Sequence, residues 1–235
     1  MQKCFPMLII LALFAVSGVM GQSDSDSEMS IEESYLQEAM EMMIIRETSR
    51  SDSREQKLIA IETIASALER GSTNEELRTT LEYLSLEGTL NRTTRGKRLA
   101  NNFPEVRQQA AKYLGTVGTK EAKAALIKVC ITDNEPMVLQ EAIKSIGQIG
   151  MNDNDDAVNT VVWVFNKFNN SDAPDNLLSL VAVDTLEKLI EKYQRVELGT
   201  LEVFVKIMEG PYSPMVKERA KQAFLNIRRV AYRNR

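Results

Sequence analysis

The middle of this chain contains one sequence pattern twice, because residues 104–118 align without gaps on residues 136–150, 32 positions later. The matched pairs are Pro104 with Pro136, Val106 with Val138, Ala110 with Ala142, Leu114 with Ile146, Gly115 with Gly147, Val117 with Ile149, and Gly118 with Gly150. The apolar matches recur at i, i+4, i+8 and i+11, which is one stripe of an α-helix. Proline suits the first turn of a helix, and glycine can end one in a left-handed conformation.

Weaker copies of the stripe extend the pattern in both directions. They use Leu178, Ala182, Leu186 and Leu189, then Val216, Ala220, Phe224 and Ile227, and, more degenerately, Ala60, Ile64 and Ala67. Second helices are predicted over residues 120–131, 155–168 and 201–208. The late copies have Leu186-Glu187 and Phe224-Leu225 where the first has Leu114-Gly115, so their helices should be longer. Neither helix of a pair can bury its apolar stripe alone, which predicts an all-α superhelix, a solenoid of stacked antiparallel helix pairs.

The best copy resembles a known repeat. Its Pro104-Glu105-Val106-Arg107, Ala110-Ala111 and Leu114-Gly115, with Gly118-Thr119-Lys120-Glu121-Ala122, are similar to the HEAT-like repeat of many bacterial proteins, including phycobilisome-lyase relatives. The resemblance covers residues 100–150 and weakens toward both ends, as terminal repeats usually do. It implies a right-handed superhelix that binds macromolecules on a groove or edge. It implies no fixed chemistry, since such repeats serve scaffolds, adaptors and a few enzymes.

The amino-terminal residues 1–21 are typical of a secretory signal peptide. Lys3 is followed by an apolar run over residues 7–16 and then by small residues, which predicts cleavage after Gly21, or else after Gly18. The alternative is an uncleaved anchor, but the apolar stretch is shorter than the roughly 20 residues that a spanning helix needs. Export to the periplasm or outside the cell follows as the predicted location.

Three further segments complete the predicted domain organisation. Residues 22–33 are predicted to be a disordered acidic linker, residues 34–53 an amphipathic segment, and residues 54–235 the HEAT-like repeat domain. The apolar side of the amphipathic segment consists of Tyr35, Leu36, Ala39, Met40, Met43 and Ile44. We expect this side to pack on the first repeat as a cap, and a Met-rich helix that binds a partner is the alternative.

The charges are distributed unevenly along the chain. Residues 22–47 hold eight acidic residues and one base, whereas the rest of the chain after Glu47 holds 25 acids and 27 bases. Two basic clusters stand out as possible partner-binding sites: Arg92, Arg95, Lys97 and Arg98 on a loop, and Arg228, Arg229, Arg233 and Arg235 at the carboxyl terminus. They would suit an anionic partner, although solvated helix faces carry such charges too. Nucleic acid is disfavoured by the export signal.

The sequence offers little for catalysis. Histidine is absent, which removes the commonest general base and metal ligand at neutral pH. Cys130 lies in an apolar run and is predicted to be a buried small hydrophobe, and Trp163 is predicted to pack in the core. Residues 152–156 are rich in Asn and Asp but have Ala157 and Trp163 where a calcium loop needs Gly and Glu, so they are expected to cap the next helix.

These features predict an exported, non-catalytic scaffold or adaptor for protein–protein interactions in the cell envelope. Its partner would be a protein or envelope component. The prediction includes no catalytic residues, no cofactor and no metal, and no integral membrane segment once the signal is cleaved. The alternative is a ligand-binding protein, or a lyase-like enzyme built on HEAT-like repeats.

Overall fold

The computed structural model describes residues 30–169 and 173–233, which form ten α-helices and one small β-hairpin. The helices are α1 (Ile31–Ser49), α2 (Arg54–Glu69), α3 (Glu75–Ser85), α4 (Pro104–Val117), α5 (Lys120–Thr132), α6 (Pro136–Ile149), α7 (Asp156–Phe168), α8 (Asn176–Tyr193), α9 (Leu198–Glu209) and α10 (Pro214–Arg233). Strands β1 (Thr94–Arg95) and β2 (Arg98–Leu99) pair antiparallel between α3 and α4. The predicted all-α fold is confirmed.

The helices lie in two layers. We call α1, α3, α5, α7 and α9 the odd layer, and α2, α4, α6, α8 and α10 the even layer. Each helix contacts its neighbours within its own layer, and each odd helix packs on the even helix that follows it. Because every interior pair is covered on both sides, the apolar stripes join into one continuous core. This arrangement is the predicted solenoid.

Helices α4 and α6 have the features that the duplicated pattern predicts. Both begin with proline in the first turn and end at a glycine with positive φ, 70° at Gly118 and 63° at Gly150. A glycine in the last turn of each allows the next even helix to approach closely. A Cβ at Gly115 would lie 2.7 Å from the Ser145 side-chain oxygen on α6, and one at Gly147 would lie 3.0 Å from the Thr185 side chain on α8. The small residues are therefore packing requirements.

The later even helices are longer, as predicted. Helix α8 has 18 residues and α10 has 20, against 14 in α4 and in α6. Their weaker stripes nevertheless face the core. Leu178, Ala182, Leu186, Leu189, Val216, Ala220 and Ile227 are buried, and Phe224 is partly buried.

Two buried ion pairs, which the sequence analysis did not identify, join the first helix pairs to the middle of the solenoid. The Arg107 Nε lies 2.6 Å from a carboxylate oxygen of Asp133, and the Lys57 Nζ lies 2.7 Å from a carboxylate oxygen of Glu87. All four side chains are almost completely buried. The Arg107 guanidinium also donates to the backbone carbonyl of Glu87 at 3.3 Å, so the two pairs form one network. Charges this deep are tolerated only when they are paired and hydrogen-bonded.

Helix α1 packs on the first repeat, but with a different face from the predicted one. Its buried residues are Met42, Ile45 and Ser49. The predicted stripe of Tyr35, Leu36, Ala39, Met40, Met43 and Ile44 is exposed. Apolar residues at 35, 36, 39, 40 and 42–45 surround the helix, so periodicity alone could not identify the buried side.

Two surface ion pairs join α1 to the neighbouring helices in its observed rotation. Arg46 Nη2 donates to a carboxylate oxygen of Glu76 on α3 at 2.6 Å, and Arg70 at the end of α2 pairs with Glu41. The hydrogen bond from Arg46 keeps the pKa of the Glu76 carboxyl below its usual value. Because the paired residues are 30 and 29 positions apart in sequence, local periodicity could not identify these contacts.

Helix α1 also begins earlier than the predicted domain boundary. Ser30 and Glu33 form a capping box, each side chain bonding the other residue's backbone N–H, so the helix starts at Ile31. Residues 31–33, the last three of the predicted linker 22–33, are therefore helical. The predicted signal peptide, residues 1–21, and residues 22–29 of the predicted linker lie outside the described residues.

The Asn- and Asp-rich segment before α7 caps that helix, although Asp155 at the N-cap position makes no side-chain cap. The Asn152 side-chain oxygen accepts from the backbone N–H of Val158 at 3.1 Å. Asp156 instead pairs with Lys123 of α5 at 2.7 Å. The predicted capping role is thus filled by the first residue of the segment.

Candidate partner-binding surfaces

The first basic cluster lies on the β-hairpin, which the sequence had predicted as a loop. Arg95 and Lys97 are exposed at its turn, where Gly96 has a φ of 67°. Arg95 forms an exposed pair with Asp52 at 3.0 Å, which places the hairpin against the turn between α1 and α2. Arg92 donates to the backbone carbonyl of Thr89 at 2.8 Å, and Arg98 is exposed on β2.

The second basic cluster belongs to the opposite end of the solenoid. Arg228 and Arg229 are exposed on α10, which contacts only α8 and α9 among the described helices. The side chain of Arg233 and the whole of Arg235 lie outside the described residues. The fold therefore separates the two basic clusters, one at each end.

Trp163 is not a core residue, contrary to the prediction. It lies on the solvent side of α7 and is 43% exposed, while its neighbours Val161, Val164 and Phe165 are buried. Lys167, one turn later, places its ammonium 4.9 Å from the indole ring centre. The sequence placed Trp163 on an apolar helix, but the core side of α7 is already filled by those three residues.

Trp163 is the centre of a ridge across three odd-layer helices, which we call the Trp163 ridge. Ile131 on α5 and Val205 on α9 are its other exposed apolar residues, at 54% and 38% exposure. Lys167 bonds the Asn134 side chain beyond α5 at 3.0 Å, and Lys206 of α9 bonds Asn166 of α7 at 2.7 Å. These bonds connect neighbouring helices along the ridge.

The ridge combines an aromatic anchor with charged groups of both signs. Exposed Lys128, Lys167 and Lys206 lie on the same three helices as exposed Glu121, Glu202 and Glu209. Lys167 is the charged residue beside Trp163. Tryptophan is enriched among residues that dominate binding energy, because it supplies a large contact area at low entropic cost. A helical surface of this kind suits a partner with an apolar pocket and an acidic group opposite Lys167.

Cys130 lies beneath the surface on α5 and is buried and unpaired, as predicted. Burial raises the pKa of its thiol to about 12, and the negative charge of Asp133 adds to the shift. The thiol is therefore protonated at neutral pH and inaccessible, which is the opposite of what a nucleophilic cysteine needs.

Two further observations concern residues 30–169 and 173–233 alone. No group of three His, Cys, Asp or Glu side chains in this part of the chain is arranged to hold a metal ion. None of its helices combines the length and the apolar character that crossing a membrane requires.

Comparison with known proteins gives one family. Residues 94–162 match the family described as HEAT repeats, which covers the hairpin, α4 to α6 and the first half of α7. No curated protein matches the chain. The matched segment contains both copies of the duplicated pattern and ends at Val162, the residue before Trp163. Residues 94–162 are thus similar to HEAT repeats, within a chain that folds as an all-α helical-repeat solenoid.

Proposed function

We propose that this chain is an exported, non-catalytic scaffold of the cell envelope that binds a protein partner through the Trp163 ridge. The main support for this proposal is the half-exposed Trp163, which lies on a surface that buried residues and hydrogen bonds between helices hold in place. HEAT repeats commonly serve as interaction scaffolds, which supports the class of function. Lys167, beside Trp163, favours an acidic group on the partner at that point.

Site-specific crosslinking tests the ridge. A photoreactive amino acid replaces Trp163 in one variant and Leu177 in the other, a matched exposed apolar residue on α8 in the even layer. We expect one defined protein to be captured from position 163 and not from position 177. Lys167→Glu, combined with the probe at 163, should reduce capture about tenfold, because it reverses a charge at the contact.

Two results would contradict the ridge proposal. Equal capture from positions 163 and 177 would show non-specific contact, and no capture from position 163 in the native compartment would show that the ridge is free. A thermal unfolding measurement on each variant ensures that lost capture reflects lost contact.

Fractionation tests export separately. We expect the protein in the periplasmic or culture fraction, with a mass that corresponds to loss of residues 1–21. A full-length cytoplasmic protein would contradict the proposed location and leave the ridge experiment valid, since crosslinking depends only on the folded solenoid.

A further inference from the structure

Helix α1 carries an apolar surface that no described part of the chain covers. Its outward side consists of Leu36, Met40, Met43 and Ile44, which are between 45% and 65% exposed, and Tyr35 is exposed near the start of the helix, two turns before Met42. This stripe is opposite the side that carries Met42 and Ile45 into the core. Scattered exposed apolar residues are ordinary on a soluble protein, but a continuous stripe along a helix marks an interaction site.

The charge of α1 is strongly negative. The helix contains five acidic residues and one base, Arg46. Arg46 and Glu41 are already paired with α3 and α2. Glu32 and Glu47 are exposed, and they lie at the two ends of the apolar stripe, in line with Leu36, Met40 and Met43 at helical spacing. A partner for this stripe should therefore be apolar in its centre and basic around it.

Helix α10 presents the matching surface at the other end of the solenoid. It contains six bases and one acid, Glu218, although Arg219 is already paired with Asp184 and Glu187 of α8. Its core side is formed by Val216, Ala220, Ala223 and Ile227. Leu225 is exposed on the opposite side, at 46%, with exposed Glu218, Lys221 and Arg229 around it, and Met215 is 66% exposed at the start of the helix.

Helices α1 and α10 are the terminal helices of their layers. Among the described helices, α1 contacts only α2 and α3, and α10 contacts only α8 and α9. A solenoid grows by stacking one helix pair on the next, so its two ends are surfaces on which another pair can be added. One end of the solenoid, formed by α1, is thus apolar and acidic, and the other end, formed by α10, is apolar and basic.

We propose that the protein assembles head to tail, with the α1 stripe of one copy packed on the outer side of α10 of a second copy. This association uses surfaces separate from the Trp163 ridge and goes beyond the proposed scaffold function. A symmetric α1–α1 contact is disfavoured, because it would bring two acidic helices together. A contact between unlike ends leaves a free end on each copy, so the assembly continues as an open chain. It forms a ring where the rotation between successive copies closes.

End-blocking variants of the full chain test the proposal. Leu36→Gln/Met40→Gln/Met43→Gln removes the apolar stripe while keeping good helix formers, and Lys221→Glu/Arg229→Glu reverses the charge of α10. Sedimentation velocity on the purified wild-type protein should show masses that rise with concentration beyond a dimer. Salt should weaken this association, because it screens the exposed charges. Each variant alone should be monomeric, with its association constant lowered tenfold or more.

The decisive measurement mixes the two variants. The α1-blocked protein retains a functional α10, and the α10-blocked protein retains a functional α1, so the mixture should form a one-to-one dimer and nothing larger. Four results would overturn the proposal: a wild-type protein that is monomeric at every concentration, a wild-type assembly that stops at a dimer, an α10-blocked protein that still dimerises, or a mixture that stays monomeric. The second and third indicate a symmetric contact.

Circular dichroism of both variants checks that they remain folded, which is expected because every substituted residue is exposed. The assembly and the proposed scaffold function can fail independently. Trp163→Ala should leave head-to-tail assembly unchanged, and the end-blocked variants should still be crosslinked at position 163.

Discussion

Helices α1 and α6 are both rich in apolar residues, yet they use them differently. On α6 the stripe of the repeat pattern is buried between α4 and α8, and six of the helix's apolar residues lie in the core. On α1 the most regular apolar stripe faces solvent, and the helix is anchored by Met42 and Ile45 instead. An interior helix is enclosed by its neighbours, so its pattern fixes its rotation. A terminal helix has neighbours on one side only, so its apolar pattern alone leaves more than one rotation open.

The largest effect is expected in the buried network of the solenoid's middle. Asp133→Ala leaves Arg107 as a buried charge without its carboxylate, and it removes the acceptor for the backbone N–H groups of Asn134 and Glu135. We expect the free energy of unfolding to fall by about 3–5 kcal/mol, measured by denaturant titration.

Asp52→Ala is the matched control, because it breaks an Arg–Asp pair with Arg95 that is mostly exposed. Its loss should be about 0.5 kcal/mol or less. Similar losses of unfolding free energy in the two variants would show that burial does not set the strength of these ion pairs. The expected difference between the buried pair in the middle of the solenoid and the exposed pair near its end would then be wrong.

A second pair of variants examines the two sides of α1. Ile45→Ala removes a completely buried side chain and should lower the free energy of unfolding by about 2–4 kcal/mol. Met43→Ala, two residues earlier on the exposed stripe, should change it by about 0.5 kcal/mol or less. Thermal or denaturant unfolding of both variants, at a concentration where the protein is monomeric, gives the comparison. The reverse order would mean that the Met43 side faces the core.

A smaller, pH-dependent effect comes from Cys130. Its pKa rises from 9.0 to about 12 in the folded protein, so above pH 9 the unfolded chain loses the thiol proton first. The contribution of this thiol to stability is therefore complete below pH 9 and is lost as pH rises toward 12. The slope should be about 1.4 kcal/mol per pH unit.

Cys130→Ala provides the reference for that measurement, because other groups also titrate in alkali. The wild type should lose stability faster than Cys130→Ala between pH 9 and 11. Parallel pH profiles for the two proteins would show that the thiol is accessible to water in the folded state.

The interior helices were predictable for a simple reason. Pro104, Gly118, Pro136 and Gly150 act locally, on the first turn and the last residue of a helix, and the apolar spacing between them repeats. Gly115 and Gly147 were visible as matched positions, although only the structure shows that Ser145 and Thr185 require them to be small. Cys130 was predicted to be buried from its apolar neighbours, and it is.

The surfaces were not predictable in the same way. Trp163 and the α1 stripe were both expected to be buried, because their local sequence is apolar, and both are exposed. Each helix had more apolar residues than its neighbours could cover. The buried pairs of Arg107 with Asp133 and Lys57 with Glu87 were missed for the opposite reason, since charged residues in sequence are read as exposed.

The sequence by itself determined the helices, their repeat and the stacked architecture, because proline, glycine and apolar periodicity act within one or two turns of a helix. The tertiary structure alone decided which apolar residues stay outside and which charges go inside, because those outcomes depend on how many sides of a helix its neighbours cover. It also placed an acidic apolar helix at one end of the solenoid and a basic one at the other, and their separation along the chain gives no indication that the two surfaces match.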